Sequence, residues 1–142
     1  MKKLEGQIAI VTGGARGIGA GICKVFCDEG ATVFLWDVLD SGQETAELLS
    51  NDGGNVFFQR VDVTDSKAVS DAVSEIISTH KKIDILINNA GIIRDRSFLK
   101  MTPDEWNQVM NVNVNSLYVT TKSVLPYMKE AGYGRIISAS SV

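Results

Sequence analysis

Histidine is almost missing from this sequence: His80 is the only one among 142 residues. Zinc centres draw on several imidazoles or thiolates, so no metal site is expected. Cysteine is equally scarce. Cys23 and Cys27 stand four apart, the spacing of neighbours on one helix face and not of a CxxC redox pair. They are expected to be small, reduced residues in or near the core. His80 falls near a predicted helix C-terminus, where a partly charged imidazole is comfortable, and no function is expected of it. Neither sign of charge dominates. The formal net charge is −3, which gives no electrostatic ground for nucleic acid or an anionic membrane as a partner. Long apolar runs are missing too, and nothing approaches the ~18 residues of a membrane span. The N-terminal MKKLEGQIAIVTGG carries two lysines before an apolar run, but IAIV is too short for a signal-peptide core. The protein is expected to be cytoplasmic.

What is present alternates. QIAIVT (7–12), ATVFLWD (31–37), NVFFQRVDV (55–63), IDILINNAG (83–91) and RIISAS (135–140) read as strands. Between them lie helical stretches. Residues 17–29 place Ile18, Ile22, Val25 and Phe26 on one side, and Gly30 follows as a stop signal. A second helix spans 41–51, ended by NDGG, and a third runs from Ser66, its expected cap, to about residue 79. Thr102, Pro103 and Glu105 spell a capping box with proline at the first helical position. That helix is expected to run to about residue 131, with Pro126 a candidate kink. Strands alternating with helices predict βαβ units and a parallel sheet covered on both faces. Strands 1, 2, 4 and 5 are nearly continuous apolar runs, as burial on two sides requires. No linker, low-complexity segment or internal repeat stands out, so residues 1–142 read as one domain or part of one.

The loops after these strands carry the chemistry. VTGGARGIGAG follows strand 1 and opens a helix, with Gly13, Gly17 and Gly19 spaced GxxxGxG. Gly13 permits a tight turn. Gly17 and Gly19 let backbone and helix approach a pyrophosphate, whose charge the helix N-terminus favours. A lone glycine string is a weak signal. This one sits between a strand and a helix, and Asp37 ends strand 2 eighteen residues after Gly19. That is the place of a carboxylate that accepts hydrogen bonds from the adenosine ribose hydroxyls. Such a carboxylate repels a 2′-phosphate and favours NAD(H). Arg16 argues for NADP(H), since a guanidinium in the glycine loop can hold that phosphate. Asp37 is given the greater weight, because burying two anions together costs more than leaving an arginine idle.

TGGARGIG (12–19), DVTD (62–65), NNAG (88–91) and GRIISASS (134–141) occur in order at the ends of strands 1, 3, 4 and 5. Together they resemble the short-chain dehydrogenase/reductase family, over the whole chain. The resemblance implies a doubly wound, Rossmann-like α/β fold with strand order 3-2-1-4-5, truncated after strand 5. It implies that Ile18 belongs with the glycine loop at the cofactor, that Asp62 and Val63 contact the adenine, and that Asn89, Ala90 and Gly91 line the cofactor cleft. Asn88 is read equally as structural, since asparagine at a strand end bonds backbone groups of neighbouring strands. Asn113 matches the helix asparagine that helps order a proton-relay water, with Asn111 and Asn115 flanking it as alternatives. Ser141 matches the catalytic serine that bonds the substrate oxygen, with Ser138 and Ser140 as close neighbours.

The family's chemistry is hydride transfer, with a YxxxK tyrosine and lysine as the acid/base device on a helix after strand 5. That pair is not found here. Tyr118 and Lys122 have the spacing but precede strand 5, and are read as a helix-surface coincidence. The chain is therefore expected to be the N-terminal part of a longer enzyme. Alone it is expected to be inactive and, with strand 5 an uncovered apolar sheet edge, poorly stable or dependent on a partner chain. NNAGIIRDRSFLKM (88–101) resembles the branch of 3-oxoacyl-ACP reductases and acetoacetyl-CoA reductases, which implies an acyl-thioester substrate, with acyl carrier protein as a candidate partner, and a homodimer or homotetramer. Two features depart from that branch: KEAGYGR (129–135) is poorly basic, and Asp37 does not suit NADPH. An NAD-linked alcohol or polyol dehydrogenase of the same family, and a non-catalytic dinucleotide-binding module, stay open.

Overall fold

The computed structural model describes residues 1–140. Five parallel strands form one sheet in the order β3-β2-β1-β4-β5, the order expected from the resemblance. They are β1 (Ile8–Thr12), β2 (Thr32–Asp37), β3 (Asn55–Arg60), β4 (Ile85–Asn88) and β5 (Arg135–Ser138). The helices between them are α1 (Gly17–Asp28), α2 (Ser41–Asn51), α3 (Ser66–His80), α4 (Pro103–Met110) and α5 (Ser116–Ala131). The strands stop short of the apolar runs that predict them. β3 gives way after Arg60, although the Val61 N–H still donates to the Asp37 carbonyl. β4 yields after Asn88 to the loop that carries the rest of NNAG.

Two cores follow from the two faces. α1 and α2 bring Cys23, Cys27 and Ala46 onto Val11, Val33, Leu35 and Ile85. α3 and α5 bring Val69, Val73, Ile76, Val124 and Met128 onto Ile10, Trp36 and Leu86. Alternating side chains along each strand feed both layers. Trp36 is fully buried and satisfies its one donor by bonding Gln59 Oε1 at 2.7 Å, while Gln59 Nε2 bonds Glu75 Oε2 at 3.0 Å. At the opposite end of the sheet, buried Asp84 accepts the Ile8 N–H at 2.8 Å and pairs with Lys82 at 2.8 Å, tying β1 to the entry of β4.

Two expectations change. The cap of α3 is Asp65, whose carboxylate accepts the N–H groups of Lys67 and Ala68; Ser66 is already inside the helix. The long helix from residue 103 is interrupted, but not at Pro126, which lies within α5. The break is a wide, π-helical turn at Asn111–Asn115. Two side-chain bonds accompany it: Ser116 Oγ donates to the Val112 carbonyl, and Asn113 turns out to the β4–α4 loop. Wide turns of this kind concentrate at functional sites. β5 is the sheet edge among the described residues, and all four of its residues are exposed, as expected of strand 5 in this chain. The capping box is formed as expected: Thr102 Oγ1 accepts the Glu105 N–H and Glu105 Oε2 accepts the Thr102 N–H.

Both cysteines are buried, as expected. Burial, reinforced by the neighbouring Cys27, pushes the Cys23 thiol up to about 12. Thiolate is the reactive form, so Cys23 should resist iodoacetamide at pH 8 until the chain is unfolded, as mass spectrometry of trapped adducts would show. Leu35→Ala, at the fully buried centre of β2, should lower the unfolding free energy by about 2–5 kcal/mol. Thr102→Ala should cost only about 1 kcal/mol. Urea melts of the two variants against the parent check the order.

Candidate functional site

The strand order reverses between β1 and β4. β1 connects to β2 on one side and β4 lies on the other, so the loops that leave their carboxyl ends diverge and open a crevice. Thr12 is buried at the end of β1, where that crevice opens. Its hydroxyl oxygen accepts the N–H groups of both Asn89 and Ala90 at 2.9 Å. Asn89 returns the contact, its Nδ2 donating to the carbonyls of Thr12 and Gly13 at 3.2 and 3.3 Å. The glycine loop is thereby fastened to the NNAG loop.

The glycines are set by contact. Gly13 lies at φ +65°, and a Cβ there would sit 2.9 Å from Ala90 Cα. A Cβ on Gly19 would fall 2.0 Å from the Gly13 carbonyl oxygen and 2.7 Å from Asn89 Nδ2. The first turn of α1 therefore lies directly against the turn that precedes it. Arg16 occupies the N-cap without a side-chain cap bond, which leaves the opening N–H groups of α1 without a side-chain acceptor.

A cleft of about 520 Å³ runs along this edge. It is lined by Gly13, Arg16, Gly17 and Ile18 after β1, by Asp37, Val38 and Leu39 at the end of β2, by Asp62, Val63 and Thr64 after β3, and by Asn89, Ala90 and Gly91 after β4. Ten of the residues singled out in the sequence thus meet in one space. Gly19 is buried behind the loop, and Asn113 stands just outside, next to Val112 of the lining. Both oxygens of Asp37 hold local backbone: Oδ2 accepts the Ala15 N–H at 3.0 Å and Oδ1 the Leu39 N–H at 3.1 Å. Asp62 Oδ1 accepts the N–H and hydroxyl of Thr64 at 2.9 and 2.7 Å, which folds DVTD into a turn facing the cleft.

The three asparagines of the wide turn separate clearly. Asn113 bonds the Ile92 backbone twice, accepting its N–H at 2.8 Å and donating to its carbonyl at 2.9 Å. Asn111 and Asn115 bond each other instead. Asn88 is 5% exposed; its Oδ1 accepts the Thr120 hydroxyl at 2.7 Å, and its Nδ2 has no partner among the described residues. It is a structural joint between β4 and α5. Ser138 and Ser140 are exposed at the sheet edge. Ser141 lies outside the described residues. Tyr118 and Lys122 do bond, at 2.8 Å, on the exposed face of α5. Sequence reasoning passed over Thr12, Thr120, Leu39 and Ile92. Thr12 carried a usable signal, because a hydroxyl residue at the end of a buried strand must find partners. No group of side chains able to hold a metal occurs among the described residues, and no helix there is long and apolar enough to cross a membrane.

The model of the short chain dehydrogenase family matches residues 7–142. The 3-oxoacyl-acyl-carrier-protein reductase of Chlamydia pneumoniae is 46% identical over 140 residues, 98% of this chain and 56% of that protein. The cyclopentanol dehydrogenase of a Comamonas species is 32% identical over 143 residues, all of this chain and 57% of its own length. This chain thus spans little more than half of the curated relatives it matches. Among solved structures, a metagenomic short-chain oxidoreductase in complex with NADP superposes with a TM-score of 0.92 at 31% identity, over 98% of this chain and 64% of its own.

The cleft depends on Gly19 more than on any neighbouring glycine. Gly19→Ala should open the glycine loop and expose its backbone amides to rapid hydrogen exchange, whereas Gly21→Ala, with nothing within 4 Å of the new methyl, should leave exchange unchanged. With the glycine spacing, the NNAG loop fastened to it and the family match in agreement, this chain belongs to the short-chain dehydrogenase family.

Proposed function

We propose that this chain forms the cofactor-binding part of a nicotinamide-dependent oxidoreductase that reduces a 3-oxoacyl thioester to the 3-hydroxy form. The observation that carries the proposal is the single cleft that joins the glycine loop, Asp37, the DVTD turn and the NNAG loop along the carboxyl edge of the sheet. The fit to a dinucleotide rests on its walls. Gly13 and Gly19 leave no room for a side chain where the loop closes, and the first N–H groups of α1 stand ready for an anion.

The bound nicotinamide would supply hydride transfer. The chain's own residues would do the positioning. Gly13, Gly17, Ile18 and Gly19 would hold the pyrophosphate, with Arg16 beside it. Asp37 would accept the ribose hydroxyls with the lone pairs its two backbone bonds leave free. Asp62 and Val63 would border the adenine, and Asn89, Ala90 and Gly91 the nicotinamide half. Asn113, by holding both polar groups of Ile92, would keep the loop after NNAG at a set distance from the wide turn of the helix. Ser141 would orient the substrate oxygen. The reductase reading is supported by the Chlamydia relative and by NNAGIIRDRSFLKM. A second reading, oxidation of an NAD-linked alcohol, is supported by Asp37 and by the Comamonas relative.

Asp37 favours NAD(H). Calorimetric titration should therefore give tighter binding of NADH than of NADPH, and Asp37→Ser should narrow the gap. NADPH binding equal to or tighter than NADH binding overturns the cofactor preference, and binding of neither overturns the proposal. In a protein that carries this chain with a YxxxK pair, turnover of an acetoacetyl thioester in preference to a secondary alcohol supports the reductase reading. The reverse preference supports the second.

A further inference from the structure

In the parallel register Arg60, the last residue of β3, stands opposite Asp37 at the end of β2. Register partners share a sheet face, so both side chains rise on the face that α1 and α2 cover. Yet the guanidinium does not meet Asp37, whose oxygens are bonded to the backbone of Ala15 and Leu39. It reaches across the β2–α2 turn instead. Nη2 donates to the Val38 carbonyl at 2.9 Å, and Nη1 donates to the carboxylate of Asp40. Val38 and Leu39 line the cleft beside Asp37. The cation is thus tethered one turn away from the place where a ribose would lie.

We propose that Asp40 is a specificity-determining residue of the cofactor cleft. By tethering Arg60 to the turn it withholds a cation from the ribose end and preserves the discrimination of Asp37 against a 2′-phosphate. This rests on the reading of Asp37 as the ribose-binding carboxylate. Released from Asp40, the arginine has Asp37 as its neighbour in register. There it would offset the carboxylate charge that repels the phosphate and present a planar fork of donors to it. The Arg60 and Asp40 side chains are 61% and 85% exposed. A surface pair of this kind contributes little to folding, so removing it should change ligand choice without unfolding the chain. Asp40 is not among the residues that line the cleft, and it acts through Arg60.

Dissociation constants for NADH and NADPH, measured by calorimetry on the parent, Asp40→Ala, Arg60→Ala and the double variant, test the tether. Asp40→Ala should narrow the preference for NADH by about fivefold, the scale of one exposed charge contact, chiefly by tightening NADPH. The double variant should behave as Arg60→Ala, with no such narrowing, and Asp40→Glu should restore the parent ratio. An unchanged ratio in Asp40→Ala overturns the proposal, as does a narrowing that persists in the double variant, which would make the effect one of turn structure alone. If the parent discriminates and Asp40→Ala does not alter it, only the tether fails. If the parent binds neither dinucleotide or prefers NADPH, the reading of Asp37 fails and the tether with it.

Discussion

Everything at the working edge of this fold hangs on the junction between Thr12 and the NNAG loop. One hydroxyl accepts two backbone N–H groups, and one amide returns bonds to two carbonyls. Parallel strands that diverge to opposite sides leave their end groups unpaired. Thr12 and Asn89 satisfy those groups across the gap and so hold it open at a set width. The glycine loop then has one place to lie. Gly13 turns against Ala90, and Gly19 lets α1 start against the Gly13 carbonyl.

From that junction the cleft is assembled by local devices, each closing its own backbone. Asp37 bonds the glycine loop and the start of the β2–α2 turn at once. Asp62 folds its own turn. Asn113 makes the wide turn of the helix part of the cleft's frame by gripping Ile92. These carboxylates and amides are structural before any ligand arrives. The walls of the cleft are therefore held in place by the chain's own hydrogen bonds. Arg60 and Asp40, both at the surface, meet across a turn whose Val38 and Leu39 line the cleft.

Much of this was legible in the residues. The alternation of apolar strands with capped helices led to a parallel sheet, and the motifs placed at strand ends led to one edge. Thr102 and Glu105 announced their helix start because capping is a contact within four residues. Asp65 was overlooked in favour of Ser66, since both are good caps and only the backbone torsions distinguish them. The wide turn at Asn111–Asn115 was not legible, and proline drew attention to the wrong place. The turn widens where Asn113 meets a loop twenty-one residues earlier, and no local pattern records that contact.

The sequence by itself determined the element types, the parallel class and the list of residues that would converge, because periodicity, caps and glycine spacing act over a few neighbouring residues. Tertiary structure alone decided their contacts. It joined Asn113 to Ile92 and Asn111 to Asn115, committed Asn88 to Thr120, occupied both oxygens of Asp37 with backbone, and turned Arg60 toward Asp40. Each of those outcomes depends on which donor lies within about 3 Å of which acceptor, and that distance is set only when strands far apart in the chain come into register.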